Sequence, residues 1–173
     1  MVVPSEIETP RLMLRPVSAE DWRLLLASVT HPEFPERLTL ATFDTPRLAR
    51  AWVNFCVDCW STKKRFVWTV VEQTSALGIG QISLTHSNGS WALSYWLSPE
   101  YWRQGYASEG CNAVLKTLHT WHPASTLVAG AARWNMGSQQ VLRKLGFERV
   151  GDKRMKLMNG RIEDIIEFER ALS

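Results

Sequence analysis

"YWRQGYASEG" (residues 101–110) stands between a run that alternates like a strand and a run that repeats like a helix. Arg103 and Gln104 precede Gly105, and the small residues Ala107 and Ser108 follow it closely. Two readings are open on the residues alone. Gly105 can simply turn the chain into the helix. Alternatively, the segment is a loop whose backbone N–H groups hold an anion. The first turn of a helix leaves its N–H groups unpaired, and the helix dipole adds positive potential there. Gly105 would let the backbone come close, Ala107 and Ser108 would keep the approach open, and Arg103 could add a charge-assisted contact.

The residues around this segment set its context. In the following helix Cys111, Val114, Leu115, Leu118 and Trp121 share one face, and Ser108, Asn112, Lys116 and His119 share another. Upstream, "RFVWTVVEQ" (65–73), "ALGIGQISLTH" (76–86) and "SWALSYWLS" (90–98) read as strands. Their short links "TS" and "SNG" make them an antiparallel meander. Earlier still, "RLMLRPV" (11–17) alternates like a half-buried strand, and Ser18 with Asp21 resembles a helix start before "WRLLLASV". After the proline-containing "HPEFPERL", a second helix is expected from about Thr45 to Ser61.

Downstream, "STLVAGAA" (125–132) reads as a buried strand. "NMGSQQVLRKLG" (135–146) reads as a helix with Val141, Leu142 and Leu145 inward and Gly146 just past its end. "FERVGDKRM" and "RIEDIIEFERAL" form a last hairpin, turned by "NG" at 159 and 160. No linker or repeat divides the chain, so residues 1–173 are expected to form one α+β domain of mostly antiparallel strands.

Composition narrows the function. The chain has 45% hydrophobic and 21% charged residues, ordinary for a folded protein. A net charge of +3 suits an anionic ligand and falls short of a nucleic-acid footprint. Without a long apolar run or a leader-like start in "MVVPSEIETP", a cytoplasmic protein with no membrane partner is expected. Cys56, Cys59 and Cys111 read as buried thiols, and His119 with His122 lacks the further ligands of a zinc site, so no metal is expected. Rival phosphate motifs are missing: there is no Walker-type loop, and "GIGQIS" (78–83) lies between strands.

Four pieces in order carry a resemblance. "YWRQGYASEG" resembles the acetyl-CoA pyrophosphate loop of the GNAT acyltransferase superfamily, in its RimJ/RimL-like branch. "ETPRLMLRPVSAED" is similar to that branch's opening strand and helix. "LSYWLSPEYW" resembles its fourth strand and turn, and "NMGSQQVLRKLGFERVG" its N-x-x-S…K-L-G-F signature. The resemblance implies a three-layer α/β/α fold with a mixed, mostly antiparallel twisted sheet. The fourth and fifth strands, 90–98 and 125–132, splay apart to admit the pantetheine arm of acetyl-CoA. It also implies an N-acetyltransferase that moves an acetyl group by direct attack of an amine in a ternary complex. The acceptor would be a protein N-terminus or a small-molecule amine, and the enzyme could be a homodimer.

Residue roles follow from the same resemblance. Backbone groups around Trp96 and Leu97 would pair with the pantetheine. The N–H groups of Arg103, Gln104, Gly105, Tyr106, Ala107 and Ser108 would hold the pyrophosphate. Arg103 stands where the branch often has glycine. Asn135 would touch the pantetheine, Ser138 would serve the departing sulfur, and the Leu97 N–H the oxyanion. Asn135 also suits a helix N-cap, and Ser138 a solvated first-turn position. The strand carries no carboxylate for a general base. Glu109 and His86 are candidates, and a water chain is the alternative to both. Glu109 also reads as a carboxylate favoured by the helix dipole. Loss of catalysis in a CoA-binding module, another acyl-CoA, or an O-acceptor remain the competing functions.

Overall fold

The structure, a computed structural model, describes residues 4–123, 125–158 and 160–171. The strands are β1 (Ile7–Glu8), β2 (Leu12–Pro16), β3 (Arg65–Glu72), β4 (Leu77–Ser87), β5 (Ser90–Leu97), β6 (Thr126–Ala132), β7 (Glu148–Lys156) and β8 (Ile162–Ala171). The α-helices are α1 (Trp22–Val29), α2 (Pro46–Thr62), α3 (Tyr106–Trp121) and α4 (Met136–Lys144). The strands form one sheet in the order β1-β2-β3-β4-β5-β6-β8-β7. Every neighbouring pair is antiparallel except β5 and β6. β1 is too short for an alternating signal and was not expected, so the predicted fourth and fifth strands are β5 and β6.

Local chemistry explains the elements. Asn88 and Gly89 both take positive φ, and Ser87 pairs with Ser90, which is the two-residue turn that matches strand twist. Thr45 caps α2 by accepting from the Leu48 N–H at 3.3 Å, with Pro46 at the first helical position. Ser18 and Asp21 form the expected capping box, around a 3₁₀ turn that leads into α1. The last hairpin is wider than a two-residue turn: Lys156 lies opposite Ile162, and the Leu157 N–H donates to the Arg161 carbonyl at 2.8 Å. Asn159 of the expected "NG" turn lies outside the described residues.

Two apolar clusters sandwich the sheet. Leu12, Leu14, Trp68, Ile82, Leu84, Trp91 and Leu93 meet Cys111, Val114, Leu115 and Leu118 of α3 and Leu142 of α4. On the other face Val17 and Val67 meet Leu25 and Val29 of α1 and Ala49, Val53 and Cys56 of α2. This is the layered arrangement expected, with the α3 face as predicted. On α4, Leu142 and Leu145 are buried, whereas Val141 is only half-buried and Gln139 takes the second inward position. The Gln139 amide earns that place by donating to the carbonyls of Ala132 and Arg133 at 3.3 and 2.9 Å.

A buried polar knot fixes α1 to the sheet. The Asp21 carboxylate takes two hydrogen bonds from Arg15 at 2.9 and 2.8 Å, one from the Ser18 N–H at 2.8 Å and one from the Thr69 hydroxyl at 2.7 Å. Burial pushes the Asp21 carboxyl up, but these donors outweigh it and hold the group below the usual carboxylate range.

Candidate active site

β5 and β6 pair only over Ser90↔Thr126, Trp91↔Leu127 and Ala92↔Val128. β5 then runs on to Leu97 and β6 to Ala132, so the sheet opens between them. The bank along β5 has a definite polarity. The Ser98 N–H donates to the Ile79 carbonyl on the β4 side at 2.8 Å. Backbone groups alternate sides along an antiparallel strand, so those of Trp96 also face β4, where Trp96 pairs with Gln81. The groups of Tyr95 and Leu97 face the opening. Trp96 is therefore corrected: its backbone is spent inside the sheet, and its side chain packs on the α1 and α2 side. The Leu97 N–H faces the opening by the same alternation, and its carbonyl accepts the Trp102 indole N–H at 2.8 Å. Gly80 makes this register possible, because a Cβ there would lie 2.2 Å from the Trp96 carbonyl oxygen.

The opposite bank carries Asn135 and Ser138. The Asn135 side chain caps α4 by accepting the Ser138 N–H at 3.1 Å. Ser138 is joined from across the gap by Tyr95. The phenol proton is shared between the Ser138 Oγ at 2.9 Å and the Ser138 carbonyl at 3.1 Å, which leaves the Ser138 hydroxyl proton free to be donated elsewhere. Burial raises the Tyr95 pKa well above the ordinary phenol range despite this partner, so it stays a protonated donor at any working pH. Tyr95 was not singled out from sequence. Its signal was the alternation itself, which sets Tyr95 on the same side as Leu97.

Residues 103–108 shape the entrance. Arg103 has φ +60° and Gly105 φ +83°, both left-handed. Glycine adopts that conformation without strain, so Arg103 holds it at a cost in backbone energy. Gly105 caps α3 without a side-chain acceptor, so the first-turn amides of α3 are left open, unlike those of α2 and α4. Arg103, Gln104 and Gly105 are exposed. An open groove of about 660 Å³ starts at Ser108 and Glu109 and follows the Asn112 and Lys116 face of α3 toward Lys144.

Glu109 borders this groove, but its carboxylate is already engaged. Its carboxylate accepts the Thr9 hydroxyl at 2.6 Å, the Arg11 N–H at 3.1 Å and the Arg11 Nε–H at 2.7 Å. Burial raises its pKa, but the Thr9 and Arg11 donors prevail and lower it overall. A carboxylate occupied and stabilised in this way is a poor proton acceptor, so Glu109 is withdrawn as a catalytic base. His86 is unsuited for another reason. It is exposed and opposes Trp91, six residues before Leu97, or roughly 20 Å along the strand.

Outside the opening, Trp68 and Trp91 are core residues and Trp134 borders a small depression. Cys56 and Cys111 are buried free thiols; burial pushes Cys56 up to about 11 and Cys111 higher still. Among the described residues there is no cluster of three metal-ligating side chains, and no helix is long and apolar enough to cross a membrane.

The depression by Trp134 was not legible in sequence. About 270 Å³ in volume, it is lined by Arg37, Arg133, Trp134, Arg154, Glu163 and Asp164, among others. The buried Glu163 carboxylate takes two bonds from Arg37, at 2.9 and 2.8 Å, and one from the Trp134 indole at 3.2 Å. Arg37 foremost holds the Glu163 carboxyl below its ordinary range, so this group too is a fixed anion rather than a base.

A sheet opened beside a parallel strand pair, with an uncapped helix start at its mouth, is the arrangement that the resemblance to the acetyltransferase superfamily implies. The comparisons agree: the acetyltransferase (GNAT) domain family matches residues 11–148, and the chain belongs to that family. It is an acetyl-CoA-dependent N-acetyltransferase. An uncharacterized N-acetyltransferase, YoaA of Bacillus subtilis (strain 168), is 24% identical over 148 residues, 84% of each chain. Among solved structures, an acetyl transferase from Salmonella typhimurium that modifies the N-terminal serine of ribosomal protein L7/L12 superposes with TM-score 0.84. It is 18% identical, with 99% of both chains covered. The microcin C7 self-immunity acetyltransferase MccE, in complex with acetyl-CoA and AMP, also gives 0.84 at 15% identity, with 97% of both chains covered. At these identities the solved structures share the fold.

Proposed function

We propose that the protein acetylates a primary amine, carried by a protein N-terminus or a small polar molecule, by direct attack within a ternary complex. The single observation that supports this most is the unzipping of β5 from β6 after Ala92↔Val128. It leaves a slot with the Leu97 N–H on one bank and Ser138 on the other. Acetyl-CoA supplies an acetyl group activated as a thioester. The residues present fit it: open amides at 103–108 for its diphosphate and unpaired strand edges for its pantetheine amides. The groove toward Lys116 and Lys144 offers ammonium groups to its nucleotide end.

In this reading the amine nitrogen bonds to the thioester carbon and the carbon–sulfur bond breaks. The Leu97 N–H donates to the carbonyl oxygen as charge gathers there. The Ser138 hydroxyl, anchored by Tyr95, donates to the sulfur as it takes the electron pair. The acceptor's proton leaves through water, since Glu109 and Glu163 are held as stabilised anions and His86 is distant. Thiol release from acetyl-CoA across N-terminal peptides and small amines tests the proposal. Turnover with any amine supports it. CoA binding without turnover on any of them would support a module that has lost catalysis.

A further inference from the structure

Arg11 lies at the start of β2's segment, far in sequence from the helix α3 entrance, yet it holds that entrance at three successive points. Its Nη1 donates to the Gln104 carbonyl at 3.0 Å. Its Nε and Nη2 reach the Glu109 carboxylate at 2.7 and 2.6 Å. Its guanidinium covers the Tyr106 ring, 4.3 Å from the centroid. Nη2 would also lie 3.4 Å from a Cβ built on Gly105. The three contacts fall on Gln104, Tyr106 and Glu109, so they flank Gly105 on both sides.

Two consequences follow from the chemistry. The Gln104 carbonyl is drawn back toward Arg11, and a carbonyl drawn back turns the next amide toward the opposite side, where an anion must sit. The Glu109 carboxylate would otherwise be an anion in the first turn of α3, competing for the same helix-start potential and repelling a bound phosphate. Arg11 and Thr9 together turn it away and neutralise it. Arg11 side-chain exposure is 44%, so the guanidinium still contributes positive potential at the mouth.

We propose that Arg11 is a positioning residue for the diphosphate of acetyl-CoA, fixing the 103–108 backbone and masking Glu109 from the ligand. The proposal rests on that segment being the diphosphate seat. It makes a distinction that a general packing role does not: Arg11 matters only for ligands that carry the diphosphate. The probes are CoA and pantetheine, titrated calorimetrically, and acetyl-CoA against S-acetylpantetheine as donors.

Wild type should bind CoA more tightly than pantetheine; equal binding would defeat the diphosphate seat and this proposal with it. R11M should weaken CoA at least about 10-fold and leave pantetheine binding and S-acetylpantetheine turnover within about 2-fold of wild type. R11K should fall between the two, since it keeps the charge and loses the fork. Adding E109Q to R11M should restore part of the loss, because the unmasked anion is then gone. R11M binding CoA like wild type would overturn the proposal. So would an equal loss for pantetheine, or no recovery in the double variant. If R11M does not fold, R11K and E109Q/R11K carry the same comparison.

Discussion

Ser138 makes three contacts with two groups: its N–H donates to the Asn135 side-chain oxygen, and the Tyr95 phenol meets both its carbonyl and its hydroxyl. A hydroxyl held this firmly on one side has its remaining hydrogen-bonding capacity directed elsewhere, and the slot is the open direction. Ser138→Ala should therefore lower kcat and kcat/KM together, by about 10- to 10²-fold, with little change in CoA affinity. Tyr95→Phe should give a smaller loss of the same kind, because it removes the anchor and not the donor. Steady-state kinetics with a calorimetric Kd checks both. If only the melting temperature shifts, Ser138 and Tyr95 are structural. Sequence held half of this. The N-x-x-S pattern pointed to Asn135 and Ser138, but nothing in a linear pattern pairs Ser138 with a tyrosine 43 positions earlier.

At the scale of elements, β5, the 103–108 loop and α3 are a unit, and their order was readable from period and glycine alone. Which partners the unit has was not. Arg11 and Glu109 lie 98 positions apart, and Arg37 and Glu163 lie 126 apart. Alternation fixes which side of a strand a residue takes; it does not say which distant chain comes to meet it. The same limit explains Trp96, whose backbone direction depends on the register with β4. Gly105→Asp should raise the Kd for CoA by about 10²-fold or more without unfolding the protein. It places a carboxylate against a phosphate and a side chain at φ +83°. Calorimetric titration beside a thermal melt decides; an unchanged Kd would clear the loop of any phosphate role.

The Asp21 knot is a second element-scale device, and it carries a pH signature. Its folded pKa is lowered, so its stabilisation is present at neutral pH, above the unfolded value. It is lost as pH falls through the folded value. Asp21→Asn should cost about 1–3 kcal/mol near pH 7, since the buried Thr69 and half-buried Arg15 donors lose a charged acceptor. The gap between wild type and variant should close as the pH drops below the ordinary aspartate range. Urea midpoints at the two pH values measure it; a gap that is the same at both would remove Asp21's charge from the account.

At the scale of the whole molecule, the proposed mechanism has the acceptor's proton leave through solvent. Neither Glu109→Gln nor His86→Gln should cost more than about 10²-fold in rate. With an α-amino acceptor the rate should climb as the amine becomes neutral, around pH 7.7–8.0, ~2 units below the rise for a lysine-like amine. A pH–rate profile for wild type and both variants tests this, and a loss of about 10³-fold in a folded, CoA-binding variant would name a base. The central claim is that the cofactor enters where β5 leaves β6. A crystal structure with CoA bound measures that most directly. The account predicts the pantetheine between β5 and β6 beside Leu97, and the diphosphate on the amides of residues 103–108. Pantetheine lying elsewhere, with the β5–β6 opening empty, would contradict it.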